Sequence, residues 1–336
     1  MPRMNVGVIG YGYWGPNLVR NFAELPEVRV RWCADLRADR RALARSRYPS
    51  IRVTEDAGDL FDDPTLDAIA IATPVSTHFE LAKRALASGK HVLIEKPMTR
   101  WASEAQELIA LAEARGLVLM VDHTFVYTGA VRKMKEIVDS GELGEPYYFD
   151  SVRVNLGLFQ SDIDVLWDLA PHDLSIFAHL IGETPRFVSA NGAAHTSNRL
   201  ADVVYLTMHF ASDFIAHVHV NWLSPIKIRR LLIGGSRQML VYDDGEPSEK
   251  VRVYDRGVRV TTEESMHRML VDYRMGDGWS PKLDTREALA VECEHFVDCV
   301  RFSKVPLTNG ATGLAVVRLL EAADRSMASD GARIAL

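Results

Sequence analysis

Cysteine is scarce. The 336 residues hold three, Cys33, Cys293 and Cys299. Three scattered thiols build neither a disulfide framework nor a zinc site. Cys293 and Cys299 are six residues apart on a predicted helix, on different faces. This fits a reducing cytoplasm, the expected location, and no metal is expected. No apolar run reaches the length of a membrane span. The stretch from Met1 to Gly10 enters a strand with no signal-peptide apolar region and cleavage site. Positive charge is not in excess: 39 Lys and Arg face 45 Asp and Glu, a net charge of −6. That balance argues against nucleic acid as the main partner. The arginines between Arg37 and Arg47 read as a solvated helix face. Internal repeats and low-complexity segments are absent.

What is present is the composition of a globular protein, 47% hydrophobic and 25% charged. The length allows two domains. Strand and helix patterns alternate through the first part. Strands are predicted at Asn5 to Ile9, Val28 to Ala34, Ala68 to Ala72, His91 to Ile94 and Leu117 to Val121. Helices are predicted at Asn17 to Glu24, Ala38 to Arg47, Thr77 to Ala87 and Ala102 to Arg115. This alternation predicts a doubly wound parallel sheet. Beyond Val121 the pattern changes. A helix at Gly129 to Ser140 precedes strands with period-two alternation: Tyr147 to Asn155, Val203 to Phe210, Phe214 to Trp222 and Ile226 to Ile233. The close turns Ala211 to Asp213 and Leu223 to Pro225 predict antiparallel hairpins in an open sheet. Helices at Arg286 to Arg301 and Thr312 to Ala328 close the chain. The region Asp243 to Asp284 reads as loops and short strands. The fold class is therefore α/β, with an N-terminal domain at 1–122 and a C-terminal α+β domain at 123–336.

Gly10-Tyr11-Gly12-Tyr13-Trp14-Gly15 follows a strand and opens a helix, with Pro16 in the first turn. Asp35 ends the next strand, 20 residues after Gly15. This is the context a dinucleotide fingerprint requires, and it predicts a Rossmann domain. The helix N-terminus offers unpaired N–H groups to phosphate. Asp35 should accept from both adenine-ribose hydroxyls and repel a 2′-phosphate, which favours NAD over NADP. Arg37 and Arg40 point the other way, since either can pair with such a phosphate. Ala72-Thr73-Pro74 ends a strand at the edge where ligands bind. His78, four residues on, is either a packed helical histidine or a neighbour of the nicotinamide ribose.

Lys96 ends a buried strand within Glu95-Lys96-Pro97. A lysine there needs a polar partner, and Glu95 points to the opposite face. A substrate hydroxyl or cofactor ribose would serve. Asp168 and His172 stand at i and i+4 on one helix face. Pro171 predicts that the helix starts there, which would bias His172 toward the neutral form a general base needs. Asp173 either orients His172 or caps the helix. Tyr127, Arg153, Asn155 and Gln160 are further pocket candidates, and Trp167 reads as packing.

These motifs together resemble the Gfo/Idh/MocA family of oxidoreductases over nearly the whole chain. The resemblance rests on Val8 to Gly15, Ala72-Thr73-Pro74 with His78, and Gly89 to Pro97. Gly141 to Pro146, Glu287 to Phe296 and Glu321-Ala322-Ala323 extend it. It implies a Rossmann domain followed by an open, largely antiparallel sheet that pairs with its equivalent in a homodimer or homotetramer. It implies Lys96, Asp168 and His172 as the catalytic set. The cofactor-binding set is then Gly10, Gly12, Tyr13, Trp14, Gly15, Asp35, Leu36, Arg37, Thr73, Pro74, His78, Glu95 and Lys96. One departure is Val126, where many members carry arginine. Asn155 to Gln160 with Trp167 to Asp173 looks like a subgroup found with cell-surface polysaccharide and nucleotide-sugar pathways.

The implied reaction is NAD-dependent oxidation of a secondary alcohol on a sugar, nucleotide sugar or cyclitol. His172 takes the hydroxyl proton, Lys96 binds the same oxygen, and Asp168 binds a neighbouring hydroxyl or holds the charged pair. Three other readings use related residues: a keto-sugar reductase, an NAD-dependent glycosidase and a non-catalytic nicotinamide-sensing regulator. Keeping lysine, aspartate and histidine together argues against the last.

Overall fold

The computed structural model describes residues 3–157, 162–196, 199–255, 257–259, 272–274 and 276–336. The chain divides into two compact units. One comprises Met1–Tyr127 with Arg286–Arg318, the other Thr128–Thr285 with Leu319–Leu336.

In the first unit, short apolar runs become buried strands: β1 (Met4–Ile9), β2 (Val28–Ala34), β3 (Arg52–Thr54), β4 (Ala68–Ile71), β5 (His91–Glu95) and β6 (Leu119–Asp122). They pair in parallel in the order β3-β2-β1-β4-β5-β6. Parallel neighbours need crossovers. These are α1 (Gly15–Glu24), α2 (Ala38–Arg47), α3 (Gly58–Asp62), α4 (His78–Ala87) and α5 (Ala102–Arg115). Gly116, with φ 63°, ends α5 in the left-handed conformation that glycine adopts without strain.

The later segment completes this unit. The Val121 N–H donates to Thr308 O at 2.8 Å, and Thr308 Oγ1 donates to Val121 O at 2.7 Å. Its helix, Ala288–Phe302, sets Phe296 edge-on to Phe22 with centroids 6.2 Å apart. Leu289, Cys293 and Val297 join the same core as Val8 and Leu18. Arg20 forks onto Glu287 at 2.9 and 2.6 Å. A single division after residue 122 leaves out this return.

The second unit begins with α6 (Gly129–Asp139) and, among the described residues, has nine strands in one sheet. The sequence prediction of successive hairpins holds for one pair. Strands β9 (Val203–His209) and β10 (Ile215–Asn221) are antiparallel neighbours. The next expected hairpin does not form. β7 (Pro146–Leu156) lies between β10 and β11 (Leu223–Gly235), parallel to the former and antiparallel to the latter. Leu223 to Pro225 is no turn. It begins β11, where the register with β7 shifts between Leu223 and Ile228. A bulge tolerates Pro225, which has no N–H to give the ladder. β8 (Phe187–Ala193) and β12 (Met239–Asp243) were not expected as strands.

Helix α7 (Val165–Leu180) packs on this sheet. Its Phe177 meets Phe149 of β7 with centroids 5.3 Å apart. Asp164 is the N-cap, accepting the Trp167 N–H at 3.0 Å. The expected start at Pro171 is therefore too late. Pro171 is inside the helix, buried, two turns from the start.

Two substitutions test these packing arguments. A Cβ at Gly15 would lie 1.9 Å from Gly10 O. Gly15→Ala should cost about 1–3 kcal/mol, read as a lower unfolding midpoint in urea. In the second unit, Arg153 Nε donates to Asp173 Oδ2 at 2.6 Å, with side chains 2% and 5% exposed. Asp173→Ala should cost about 3–5 kcal/mol, because it strands a buried guanidinium.

Candidate active site

The six parallel strands end at one edge of their sheet, and the predicted residues of the first unit collect there. Gly10 follows β1 with φ 95°, a conformation that side chains resist. A Cβ at Gly10 would meet Ala72 O at 2.4 Å, so β1 and β4 need glycine to close up. Gly12 differs. A Cβ there has no heavy atom within 4 Å. Gly10 and Gly15 serve packing, while Gly12 keeps space open over the start of α1. That is the cradle a pyrophosphate requires.

Asp35 closes the cradle from β2. Its Oδ2 accepts the Tyr11 N–H at 2.7 Å and its Oδ1 the Arg37 N–H at 2.8 Å. A carboxylate offers about four lone-pair sites, so both oxygens keep capacity for ribose hydroxyls. The Arg37 guanidinium lies 3.8 Å from Asp35, and Arg40 lies beside Asp39 at 3.6 Å. Arg41, overlooked in the sequence, donates to Asp35 O at 2.9 Å and Leu36 O at 2.8 Å. Its signal was position: one turn into α2, it can reach back to the β2 end. Tyr13 and Leu36 stand 83% and 86% exposed beside this loop.

At the β4 end, Thr73 Oγ1 accepts from Thr77 at 2.7 Å, and Pro74 is exposed. His78 is buried, with Nε2 2.8 Å from Thr73 O and Nδ1 2.9 Å from Pro97 O. Burial lowers its pKa, against the pull of these carbonyls. With both ring nitrogens against main chain, His78 braces the ends of β4 and β5. Lys96 follows β5, partly buried, and its N–H donates to Glu95 Oε2 at 3.0 Å. Glu95 pairs in register with Asp122 of β6. Burial first, and Asp122 second, push the Glu95 carboxyl well above the usual range. His123 is fully buried, which pushes its pKa down to about 4.

In the second unit, Asp168 and His172 lie on one partly exposed face of α7. Asp168 Oδ2 accepts from Trp222 Nε1 at 3.1 Å. His172 stands two turns inside the helix, beyond the first turn where the N-terminal field acts. That field therefore does not bias the ring of His172 toward its neutral form, as a helix start at Pro171 would have done. Asp173 takes neither role considered for it. Its carboxylate holds Ser151 at 2.8 Å and Arg153. Arg153 is accordingly buried in that pair, and Tyr127 is buried with its hydroxyl 3.2 Å from Thr308 Oγ1. Asn155 is partly exposed on β7. Gln160 lies outside the described residues.

Residues 4–123 match the model of an oxidoreductase family with an NAD-binding Rossmann fold, and residues 131–241 match the GFO/IDH/MocA C-terminal domain. The chain belongs to the Gfo/Idh/MocA family. It is thus an NAD-binding oxidoreductase, with homologues named as dehydrogenases. One is the UDP-N-acetylglucosamine 3-dehydrogenase of Acidithiobacillus ferrooxidans, 28% identical over 94% of this chain and 95% of that protein. A crystal structure of that enzyme superposes with a TM-score of 0.80 at 27% identity, covering 97% of this chain and 100% of the other. The myo-inositol 2-dehydrogenase of Thermotoga maritima is 22% identical over 96% of both chains. GenD2 from gentamicin A biosynthesis, solved with NAD, shares the fold at TM-score 0.84 and 24% identity, covering 100% of this chain and 97% of its own.

In this Gfo/Idh/MocA oxidoreductase, Gly12 is the fingerprint glycine where an added Cβ meets no neighbour. Gly12→Ala should leave the unfolding free energy within about 0.5 kcal/mol of wild type and weaken NAD binding, measured by titration calorimetry. Unchanged NAD affinity would move the pyrophosphate away from this loop.

Proposed function

We propose that the protein is an NAD-dependent dehydrogenase acting on a secondary alcohol of a sugar, nucleotide sugar or cyclitol. The observation that carries this reading is a lysine at the end of a buried strand in an NAD-binding sheet. Lys96 follows β5 on the strand edge that also carries the glycine cradle. The named activities of relatives support the substrate class, a UDP-sugar in one and a cyclitol in another.

Lys96 donates a hydrogen bond to the reacting oxygen and offsets the negative charge that grows on it. His172 accepts the hydroxyl proton as general base. Asp168, held by the Trp222 indole, binds a neighbouring hydroxyl. When bound, the nicotinamide supplies the hydride acceptor. Gly10, Gly12 and Gly15 hold its diphosphate, and Asp35 its adenine ribose. The nine-stranded sheet pairs with its equivalent in a homo-oligomer, a reading supported by the exposed Phe187, Tyr205 and Ile215 of β8, β9 and β10.

NADH absorbance across a panel of sugars, inositols and nucleotide sugars tests the substrate class. With the best substrate, Lys96→Ala and His172→Ala should each lower kcat by about 10²–10⁴. NAD should still bind to both variants. Near-normal turnover in either variant removes that residue from the reaction.

A further inference from the structure

Trp14 precedes the last glycine of the fingerprint and is the N-cap of α1. Its backbone is fixed there, since its carbonyl accepts the Asn17 N–H at 2.8 Å and the Leu18 N–H at 3.3 Å. Its side chain turns elsewhere. The indole Nε1 donates to Asp122 Oδ2 at 2.8 Å, across 108 positions. Asp122 ends β6 and is 2% exposed. Its other oxygen, Oδ1, accepts the Thr124 hydroxyl two residues on. A buried carboxyl group costs stability unless its oxygens find donors. Here one donor comes from the following turn and one from the fingerprint loop.

The sheet order gives this bond a direction. β2 lies on one side of β1, and β4, β5 and β6 lie on the other. Asp35, at the β2 end, marks the side that takes the adenine ribose. A dinucleotide across this edge lays its nicotinamide half on the side of β4, β5 and β6. Adjacent strands are about 4.8 Å apart, so β6 is about 14 Å from β1, three spacings toward the nicotinamide. Trp14 ties the fingerprint loop to that end. Asp122 is level with Glu95 of β5, and Lys96 follows Glu95. The Trp14 ring is partly exposed, packs on the core of the first unit and stacks with the exposed Tyr13, centroids 6.5 Å apart.

We propose that Asp122 is a positioning residue for the cofactor: by accepting the Trp14 indole N–H, it holds that ring as a wall for the nicotinamide half of the bound dinucleotide. The inference rests on the reading that Gly12 and Asp35 hold the diphosphate and the adenine ribose. Asp122 touches no reacting atom. It acts through Trp14, and Thr124 holds the carboxyl group in turn. An indole is a flat apolar surface with a single donor. With that donor tied at β6, the ring is ordered on folding and not on binding, which removes that cost from NAD association.

Titration calorimetry with NAD on the folded chain separates this role from mere cohesion. D122A removes the acceptor and should weaken NAD binding roughly tenfold, the scale of one hydrogen bond. D122N keeps an acceptor oxygen for the indole and should stay within about twofold of wild type. W14F keeps a ring without the donor and should lose affinity as D122A does. The double variant D122A/W14F should lose no more than either alone, because both remove one interaction. Indole ¹H–¹⁵N NMR gives a direct signature. The chain has six tryptophans, and the signal missing in W14F belongs to Trp14. That signal should shift in D122A, stay near its wild-type position in D122N, and move when NAD is added to wild type. A purely cohesive bond predicts another outcome: D122A lowers the unfolding midpoint, yet the folded protein binds NAD as wild type does. That result overturns the proposal, as does a Trp14 signal that NAD leaves unmoved. If D122A does not fold, the affinity of W14F and the wild-type signal decide. Gly12→Ala reports separately whether NAD lies on this loop. Weaker binding in Gly12→Ala with unchanged binding in W14F ends the role of Trp14 and Asp122 and leaves the cofactor site in place.

Discussion

Parallel pairing is the constraint from which the nucleotide unit follows. Ile9 is level with Ala34 and Ile71, Ile71 with Ile94, and Glu95 with Asp122. Because all six strands run one way, whatever follows each of them emerges on one edge. Gly10, Asp35, Thr73, Lys96 and Asp122 are distant in sequence and become neighbours for this reason alone. An antiparallel sheet of the same strands would have sent half of them to the opposite rim.

That edge was largely legible from the residues. Short apolar runs bounded by glycine and acidic residues mark strands, and the spacing of Gly10, Gly12, Gly15 and Asp35 is local information. What escaped was long-range. Nothing in the period of β10 and β11 announces that β7, formed 60 residues earlier, separates them. Strand partners are chosen by burial of whole faces, which a window of ten residues does not contain. Pro171 misled for a related reason. Proline disfavours a helix interior, yet in α7 packing against the sheet outweighs the lost bond, and Asp164 had already capped the true start.

The candidate site residues divide along the same line. Asp168 and His172 share a face because 3.6-residue periodicity puts them there, and this was readable. The partner of Asp173 was not, since Arg153 lies 20 residues upstream on a strand. Glu292 was hidden for a different reason. Its neighbours on the helix Ala288–Phe302 look like any amphipathic segment, and only the folded unit shows that this acid is fully buried. His78 carried two meanings in sequence, and the folded unit adds the carbonyls of Thr73 and Pro97 that its ring nitrogens face.

The return of residues 286–318 to the first unit has a temporal side. Val121 and Thr308 bond across 187 positions, and Arg20 and Glu287 across 267. On a ribosome, the opening strands and helices emerge long before the helix that seals their core. Phe22 and Leu18 must wait, uncovered, for Phe296 and Val297 to arrive. Synthesis at about 5–20 residues per second makes that delay many seconds long. The nucleotide unit is thus encoded first and finished late, with the whole intervening unit translated while its core stands open.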